Sequence, residues 1–412
     1  MAIEPLLLTA SDTGGAGTAT RRIHEGLREI GKNSQMLVRE KATDNPAIHG
    51  PNTKLSKIMA KLRPRIDALP LNFYQPSSEF SLTWTPDRLQ KRVNQFDPDV
   101  VHLNWVANGY MNPTSISDFG CPVVWRLPDM WPLTGGCHYA GDCERYHSSC
   151  GNCPQLNSSY SQDPSHQMLK RKRNVIKQTD VTVVATSSWL ASCARQSAIF
   201  QNCSIKIIPN GLNTQRFKPR EPAVGRDLFN LPPDVPLILF GAVSPVSNKR
   251  KGFDLLHKAI SEFVESTNTN AELAVFGRKE SKNTPKFDLP THYTGYLNDE
   301  ESLALLYSAA DIMIVPSRYE GFGQTITESM ASGTPVVAFD TTGPKDTIVH
   351  KKTGYLATPY DPSDLAAGVE YLLHDDKRRS RISQNARARA VEKYHYTDIA
   401  KRYYKLYRSI TR

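Results

Sequence analysis

The sequence predicts an α/β protein made of two doubly wound, Rossmann-like domains, each a parallel sheet with helices on both faces. Three observations carry this. Short apolar runs alternate with helix-length amphipathic segments along the chain, the pattern of a buried parallel sheet. At 412 residues the chain exceeds one ordinary core, so two domains are expected. Glycine-rich turns follow the first strand and a strand ending near residue 315, and each leads into a helix.

In the first half the apolar runs 5–9, 35–39, 99–103, 122–127, 181–185 and 205–208 are strand candidates. In the second half they are 236–240, 272–276, 311–315 and 335–339, with 347–349 a weaker one. Between the two sets, 213–236 is loop-rich and holds five prolines, so 213–235 is expected to be an interdomain linker. The domains are therefore placed at 1–212 and 236–393, followed by a Tyr-, Lys- and Arg-rich helix at 394–412. The start, Met1-Ala-Ile-Glu-Pro-Leu-Leu-Leu8, lacks a basic n-region and reads as a first strand, not a signal peptide. No apolar run approaches the roughly 20 residues of a membrane span. A cytoplasmic protein is expected.

The densest chemistry is Glu320-Gly-Phe-Gly-Gln-Thr-Ile-Thr-Glu328. It follows the apolar run 311–315 and opens a helix expected at 325–332, stopped by Gly333-Thr-Pro335. Glu320 then sits on a loop above a strand end, and Glu328 lies roughly 7 Å along the axis, at about 1.5 Å per residue. Gly321 and Gly323 leave backbone N–H groups at a helix N-terminus, where phosphate is stabilised. One acid can hold a sugar and the other a ribose, with a diphosphate between them. Alone, two glutamates at this spacing are more often solvated; the glycines and flanking strands favour the nucleotide-sugar reading.

The formal net charge of +10 favours anionic partners: nucleotide diphosphates, anionic lipid or nucleic acid. No nucleic-acid-binding signature accompanies it, so nucleic acid is not expected.

The segment 311–359, together with Lys251-Gly-Phe-Asp-Leu-Leu256, Ile208-Pro-Asn-Gly211 and Gly354-Tyr-Leu356, resembles the retaining glycosyltransferases of family 4 (group 1). That resemblance implies the GT-B fold, two Rossmann-like domains facing a central cleft, with 1–212 on the acceptor side and 236–393 binding the nucleotide-sugar. It implies that the C-terminal helix crosses back to the first domain; a free basic tail is the alternative. Glu320 is expected to hold donor-sugar hydroxyls beside the N–H groups of Gly321, Phe322 and Gly323. Gln324 and Thr325 would meet phosphate oxygens, and Glu328 the ribose. Gly14 and Gly15, in Ser11-Asp-Thr-Gly-Gly-Ala-Gly17, would face the diphosphate and acceptor. Lys251 and Arg250 are expected on the leaving diphosphate, where charge grows as the glycosidic bond breaks. Lys249 fits a solvated loop.

Two departures from the family stand out. Ala242 occupies the position of the usual arginine, so Arg250 becomes its substitute. Pro128-Asp129 replaces a His-Asp pair, leaving Asp129 either to contact sugar or acceptor or to cap the next turn. His102 could reach the cleft or be a buried structural histidine. The resemblance implies transfer with retention, no protein nucleophile and no metal or other cofactor in catalysis. The setting it implies is bacterial surface polysaccharide or glycolipid synthesis, with a saccharide or lipid-linked saccharide as acceptor.

Cys137, Cys143, Cys150 and Cys153 fall in a Cys-rich insertion at 131–156 similar to one in a branch of bacterial family 4 enzymes. The C-x2-C pair with two nearby thiols suits a structural zinc ion, with disulfides or free thiols as alternatives. Lys54–Arg63 places Leu55, Ile58, Met59 and Leu62 on one helical face with Lys54, Lys57, Lys61 and Arg63 along its edge. This is either a core-packed helix or an interfacial one meeting anionic lipid at the inner membrane face. Rival readings of the whole chain are a nucleotide-sugar hydrolase and a zinc-stabilised nucleic-acid- or membrane-binding protein with a decayed sugar site.

Overall fold

The computed structural model describes residues 3–241, 248–277, 286–297 and 299–411. The chain divides into two compact units, residues 1–211 with 396–412, and 212–395. The first holds seven strands: β1 (Pro5–Ser11), β2 (Gln35–Glu40), β3 (Ile48–His49), β4 (Val100–Leu103), β5 (Val123–Leu127), β6 (Val181–Ala185) and β7 (Ser204–Ile207). They form one parallel sheet in the order β3-β2-β1-β4-β5-β6-β7. The second holds β8 (Leu237–Gly241), β9 (Glu272–Phe276), β10 (Thr291–Gly295), β11 (Ile312–Val315), β12 (Val336–Phe339) and β13 (Gly354–Ala357). Its parallel order is β10-β9-β8-β11-β12-β13.

The apolar runs are continuous because both faces of each sheet are buried. Along β5, Val123, Trp125 and Leu127 enter one core and Val124 the other. In β11, Met313 and Val315 face one side while Ile312 and Ile314 face the other. One side chain in two serves each face, as a strand's alternation requires.

Three strands escaped the sequence reading. β3 is two residues long, β10 is a half-exposed Thr-His-Tyr-Thr-Gly run, and β13 opens with a glycine. Residues 347–349 are not a strand: Pro344–Thr347 is a short helix and the chain leaves it extended. The expected linker at 213–235 is instead packed into the second unit. Leu212, Phe217 and Leu231 join its core, and the Arg226 guanidinium donates to the Ala309 carbonyl at 3.0 Å and Asp311 at 3.0 Å. Its prolines shape a fixed strap.

The chain's last helix runs from Tyr396 to Ile410, separate from the preceding helix Asp376–Tyr394. It belongs to the first unit, where Ile399, Ala400, Tyr403, Leu406 and Tyr407 complete one face of the sheet. His102 is fully buried beneath it, its Nδ1 2.7 Å from the Tyr407 hydroxyl, and is structural. Among the described residues no helix is long and apolar enough to cross a membrane.

The last helix lies close against helix Gly14–Glu29 because Gly26 has no side chain. A Cβ there would stand 2.7 Å from the Tyr396 carbonyl oxygen and 3.0 Å from the Ala400 methyl. Gly26→Val is expected to destabilise the first unit by about 1–3 kcal/mol through overpacking, read from the urea midpoint. An unshifted midpoint would mean that the helix contributes little to that unit's cooperative core.

Candidate active site

In the second sheet the chain runs from β8 outward to β10, then resumes at β11 on the other side of β8, with Ile314 paired to Phe240. The connections leaving β8 and β11 therefore diverge at a topological switch point, where open α/β sheets bind ligands. After β8 comes the turn Lys249–Lys251, started by the Asn248 side chain accepting from the Arg250 N–H at 3.2 Å. Gly252 follows with φ 66°, and a Cβ on it would lie 1.9 Å from the Pro316 carbonyl oxygen. Only glycine lets the two loops touch here. Arg318 fastens them: its N–H donates to the Arg250 carbonyl at 2.8 Å, and its guanidinium forks onto Asp254 at 2.8 and 2.7 Å.

That clamp sets Glu320 against two cations. Lys251 Nζ is 2.6 Å from Glu320 Oε1, and Arg250 Nη1 is 3.5 Å from the same oxygen. Arg250 also donates to the Tyr319 carbonyl at 3.0 Å. The Glu320 backbone is tied on both sides, its N–H to the Thr342 hydroxyl at 3.1 Å and its carbonyl to the Gly343 N–H at 2.9 Å. Its side chain is only 13% exposed. Burial alone raises a carboxyl pKa, but Lys251 and Arg250 outweigh it and bring Glu320 down to about 2. The carboxylate is ionised at any working pH.

Gly321, Phe322 and Gly323 are buried beside it, with Phe322 edge-on to the Tyr394 ring at 5.5 Å. Gly323, at φ 87°, opens helix Gln324–Ala331, whose first residues Gln324 and Thr325 are half-buried. Glu328 lies one turn further on, buried, and accepts from the Tyr307 hydroxyl at 3.0 Å. Its carboxylate is thus oriented from within the fold, by a tyrosine the sequence reading did not single out. Lys249 is exposed, as a solvated loop requires. Ala242 lies outside the described residues.

The other expected site residues are in the first unit. Gly14, with φ 73°, and Gly15 are exposed and form the first turn of helix Gly14–Glu29. Gly17 is the close-packed one, since a Cβ would meet the Ser11 carbonyl oxygen at 2.5 Å. Asp129 follows β5. Its Oδ1 accepts the Trp131 N–H at 2.9 Å, and its Oδ2 faces Trp105 Nε1 at 3.0 Å and His138 Nδ1 at 2.7 Å. Asp129 therefore both caps the turn and pairs with a histidine. That histidine, His138, lies nine residues further along the chain, inside the Cys-rich insertion 131–156.

His138 Nε2 lies 2.9 Å from the Ser81 hydroxyl. The burial of the His138 ring lowers its pKa, but the Asp129 carboxylate outweighs this and raises it; Asp129 is lowered in turn, against its own burial. The order Ser81–His138–Asp129 is that of a hydrolase triad. Yet Ser81 is 3% exposed and His138 2%, so this network holds loops in place and offers no open nucleophile.

Cys137, Cys143, Cys150 and Cys153 all line one small cavity. They are free thiols, and burial pushes Cys137 and Cys150 up to about 12. Beside them Lys172 is fully buried, donating to the carbonyls of Trp131 at 2.5 Å and Thr134 at 3.1 Å. Among the described residues no three His, Cys, Asp or Glu side chains stand as a ready metal-ligand set.

Residues 232–389 match the family Glycosyl transferases group 1, and residues 13–216 match Glycosyltransferase Family 4. A glycosyltransferase of Methanocaldococcus jannaschii is 31% identical over 50% of this chain and 54% of its own length. The MMP alpha-(1->4)-mannosyltransferase of Mycolicibacterium hassiacum is 30% identical over 94% of this chain and 92% of its own. Among solved structures, sucrose-phosphate synthase of Thermosynechococcus elongatus superposes with a TM-score of 0.70 at 20% identity, covering 99% of both chains. Anabaena HepE in complex with UDP-glucose gives 0.66 at 16% identity, covering 99% of this chain and 100% of its own. The architecture is that of the GT-B glycosyltransferases, and two parallel sheets, a switch-point carboxylate and both family matches lead to one statement: this chain belongs to the group 1, family 4 glycosyltransferases.

Proposed function

We propose that the protein transfers a sugar from a nucleotide-diphosphate donor to an acceptor hydroxyl with retention of anomeric configuration. The observation that carries this is Glu320, ionised and held 2.6 Å from Lys251 at the switch point of the second sheet, beside the N-terminus of helix Gln324–Ala331. A carboxylate there accepts from sugar hydroxyls. Lys251, Arg250 and the helix N-terminus stabilise the diphosphate as it departs. Glu328, oriented by Tyr307, accepts from the ribose, with base contacts near Gly277 and the exposed Tyr296. Anabaena HepE, of similar fold, holds UDP-glucose.

The acceptor oxygen attacks the anomeric carbon on the face that the leaving group vacates. The bond to the diphosphate oxygen breaks with its electron pair, and the acceptor proton passes to a phosphate oxygen. Glu320 is a positioning and electrostatic group in this scheme, not a base. Cationic side chains and the helix terminus supply the charge that a divalent metal would otherwise bring, so the transfer is metal-independent. Gly14 and Gly15 act on the acceptor side, where Asp129, held by His138 and Trp105, serves by fixing the loop after β5. The acceptor is a saccharide or lipid-linked saccharide of surface polysaccharide or glycolipid synthesis, reached from the cytoplasm beside the membrane. Neither the hydrolase nor the decayed-site reading is favoured by the paired Glu320 and Lys251.

A structural zinc ion at Cys137, Cys143, Cys150 and Cys153 belongs to the same proposal. The shared cavity supports it, and so does Lys172, whose burial brings its amine down to about 7 and whose charged form thiolates would restore. The thiols as described would have to draw inward to bind it. The site would be closed, so it would support the insertion and take no part in transfer.

Three outcomes are expected. Among UDP-, GDP-, ADP- and TDP-sugars one donor is turned over indifferently to EDTA, and Glu320→Ala lowers the rate by about 100- to 1,000-fold; a fully active variant would remove Glu320 from the site. The lowered pKa of Glu320 contributes stability that is complete above its ordinary value of 4.5 and lost as pH falls toward about 2. The difference in unfolding free energy between wild type and Glu320→Gln should accordingly shrink across that window, and a constant difference would contradict the ion pair. Elemental analysis of protein purified without chelator should find about one zinc per chain, as one closed four-thiolate site requires; zinc-free protein with four reactive thiols would end that part of the proposal.

A further inference from the structure

We propose that helix Lys54–Ala68, with the turn Leu69–Phe73 after it, is the surface by which this protein lies on an anionic lipid bilayer. The apolar stripe of this helix could have been a core face. It is not: Leu55 is 71% exposed, Ile58 55%, Met59 42% and Leu62 38%. The stripe continues through Leu69 at 53% to Phe73 at 90%. Of the fifteen residues in the helix only Ala60 and Asp67 are buried. Singly exposed apolar residues need no explanation, but six along one short segment mark an interaction surface.

The orientation is fixed by the opposite side of the helix. Arg63 Nε donates to the Gly109 carbonyl at 2.6 Å and Nη1 to the Pro86 carbonyl at 2.8 Å. Asp67 accepts the N–H groups of Leu82 and Trp84, each at 3.2 Å. Gly109, at φ 70°, permits the close approach, since a Cβ there would stand 2.7 Å from the Arg63 carbonyl oxygen. Arg63, expected on the basic edge, is therefore an anchor. At about 100° per residue Ala60, Arg63 and Asp67 share one arc, and Leu55, Ile58, Met59 and Leu62 point roughly 120° away from it. Lys54, Lys57, Lys61 and Arg65 fill the arc on the far side of the apolar stripe.

The charge pattern selects the occupant. The exposed part of the helix carries these four cations and no acid, because Asp67 is turned inward. Apolar side chains at the acyl boundary with lysines reaching back to lipid phosphates is the arrangement of an interfacial helix. The helix is also preformed: Thr53 and Ser56 make a reciprocal capping box, so no folding need accompany docking. The proposal rests on the reading of an acceptor held beside a membrane for its purpose, but not for its geometry.

The full chain is mixed with vesicles of equal parts phosphatidylglycerol and phosphatidylcholine, and with phosphatidylcholine alone, in about 0.1 M salt. It should sediment with the anionic vesicles and bind neutral ones at least about tenfold more weakly. Replacing Lys54, Lys57 and Lys61 by serine should cost about a hundred-fold in affinity, at about fivefold per charge. Ile58→Glu with Phe73→Glu should abolish binding. Turnover of a water-soluble donor should stay unchanged in both variants, which separates lost docking from lost folding. Wild-type docking without donor turnover would overturn the transferase reading and leave this surface standing. Unchanged vesicle binding in both variants would overturn the surface, as would Ile58→Glu with Phe73→Glu turning a solution dimer into monomer, which would assign the face to a second copy.

Discussion

The close approach of two loops at the switch point of the second sheet governs the candidate site. β8 and β11 are neighbours in the sheet although two strands separate them in the chain, so the loops beyond their ends must share one crevice. Gly252 brings the first loop to the Pro316 carbonyl of the second, and the forked Arg318–Asp254 pair holds it there. From that clamp follow the position of Lys251, its ion pair with Glu320, and the ionised state of a nearly buried carboxylate. A side chain at 252 would have to displace the Pro316 carbonyl, and with it the register that sets Lys251 against Glu320.

The first unit solves a related problem with a different set of groups. Its own switch point lies between β1 and β4, and Trp105, just beyond β4, reaches Asp129, beyond β5, through its indole N–H. Asp129 is then fixed by three donors from three places in the chain, and His138 shares its charge. With Pro128 before it, Asp129 takes its histidine from the insertion instead, and that buried His138 serves to fix the loops. This ties the cysteine-rich segment to the interior of the unit. The loop that carries Cys137 also carries His138, and Lys172 fastens its carbonyls from behind.

The legible parts of this protein are those where one physical demand dominates a run of residues. Doubly buried strands such as β11 and β12 announce themselves as Ile-Met-Ile-Val and Val-Val-Ala-Phe, and the glycine turn before helix Gln324–Ala331 follows from its backbone requirements. The rest depends on pairings distant in sequence. β10 is half-exposed at a sheet edge, so its composition is mixed; β13 begins with the glycine that its neighbour's backbone requires, since a Cβ at Gly354 would meet the Val336 carbonyl oxygen at 2.5 Å. The strap at 213–235 looked like a linker because prolines are common to both, and only the burial of Leu212, Phe217 and Leu231 separates the two cases. The partners of Glu328 and Asp129, Tyr307 and His138, carry no local signal at all. Lys54–Ala68 shows the limit of amphipathic pattern: periodicity finds an apolar face, but whether protein or lipid covers it is decided by where Arg63 and Asp67 are anchored.

On the proposed reading, the paired charges around Glu320 also explain how one site can favour the departing donor over the bound one. Before a donor arrives, Lys251 and Arg250 are neutralised in part by Glu320 and are already withdrawn from water, each side chain being 23% exposed. A diphosphate entering beside them meets cations that need little further desolvation. As the glycosidic bond stretches, negative charge grows on the phosphate oxygens while positive charge grows on the sugar ring. The cations gain by the first change and the Glu320 carboxylate by the second. Both gains belong to the transition state and not to the resting complex, which is the condition for an ion pair to lower a barrier instead of merely tightening binding. An isolated lysine or an isolated glutamate could serve only half of that separation of charge. Holding them 2.6 Å apart, on loops bolted to adjacent strands, lets the same pair serve both ends of the breaking bond.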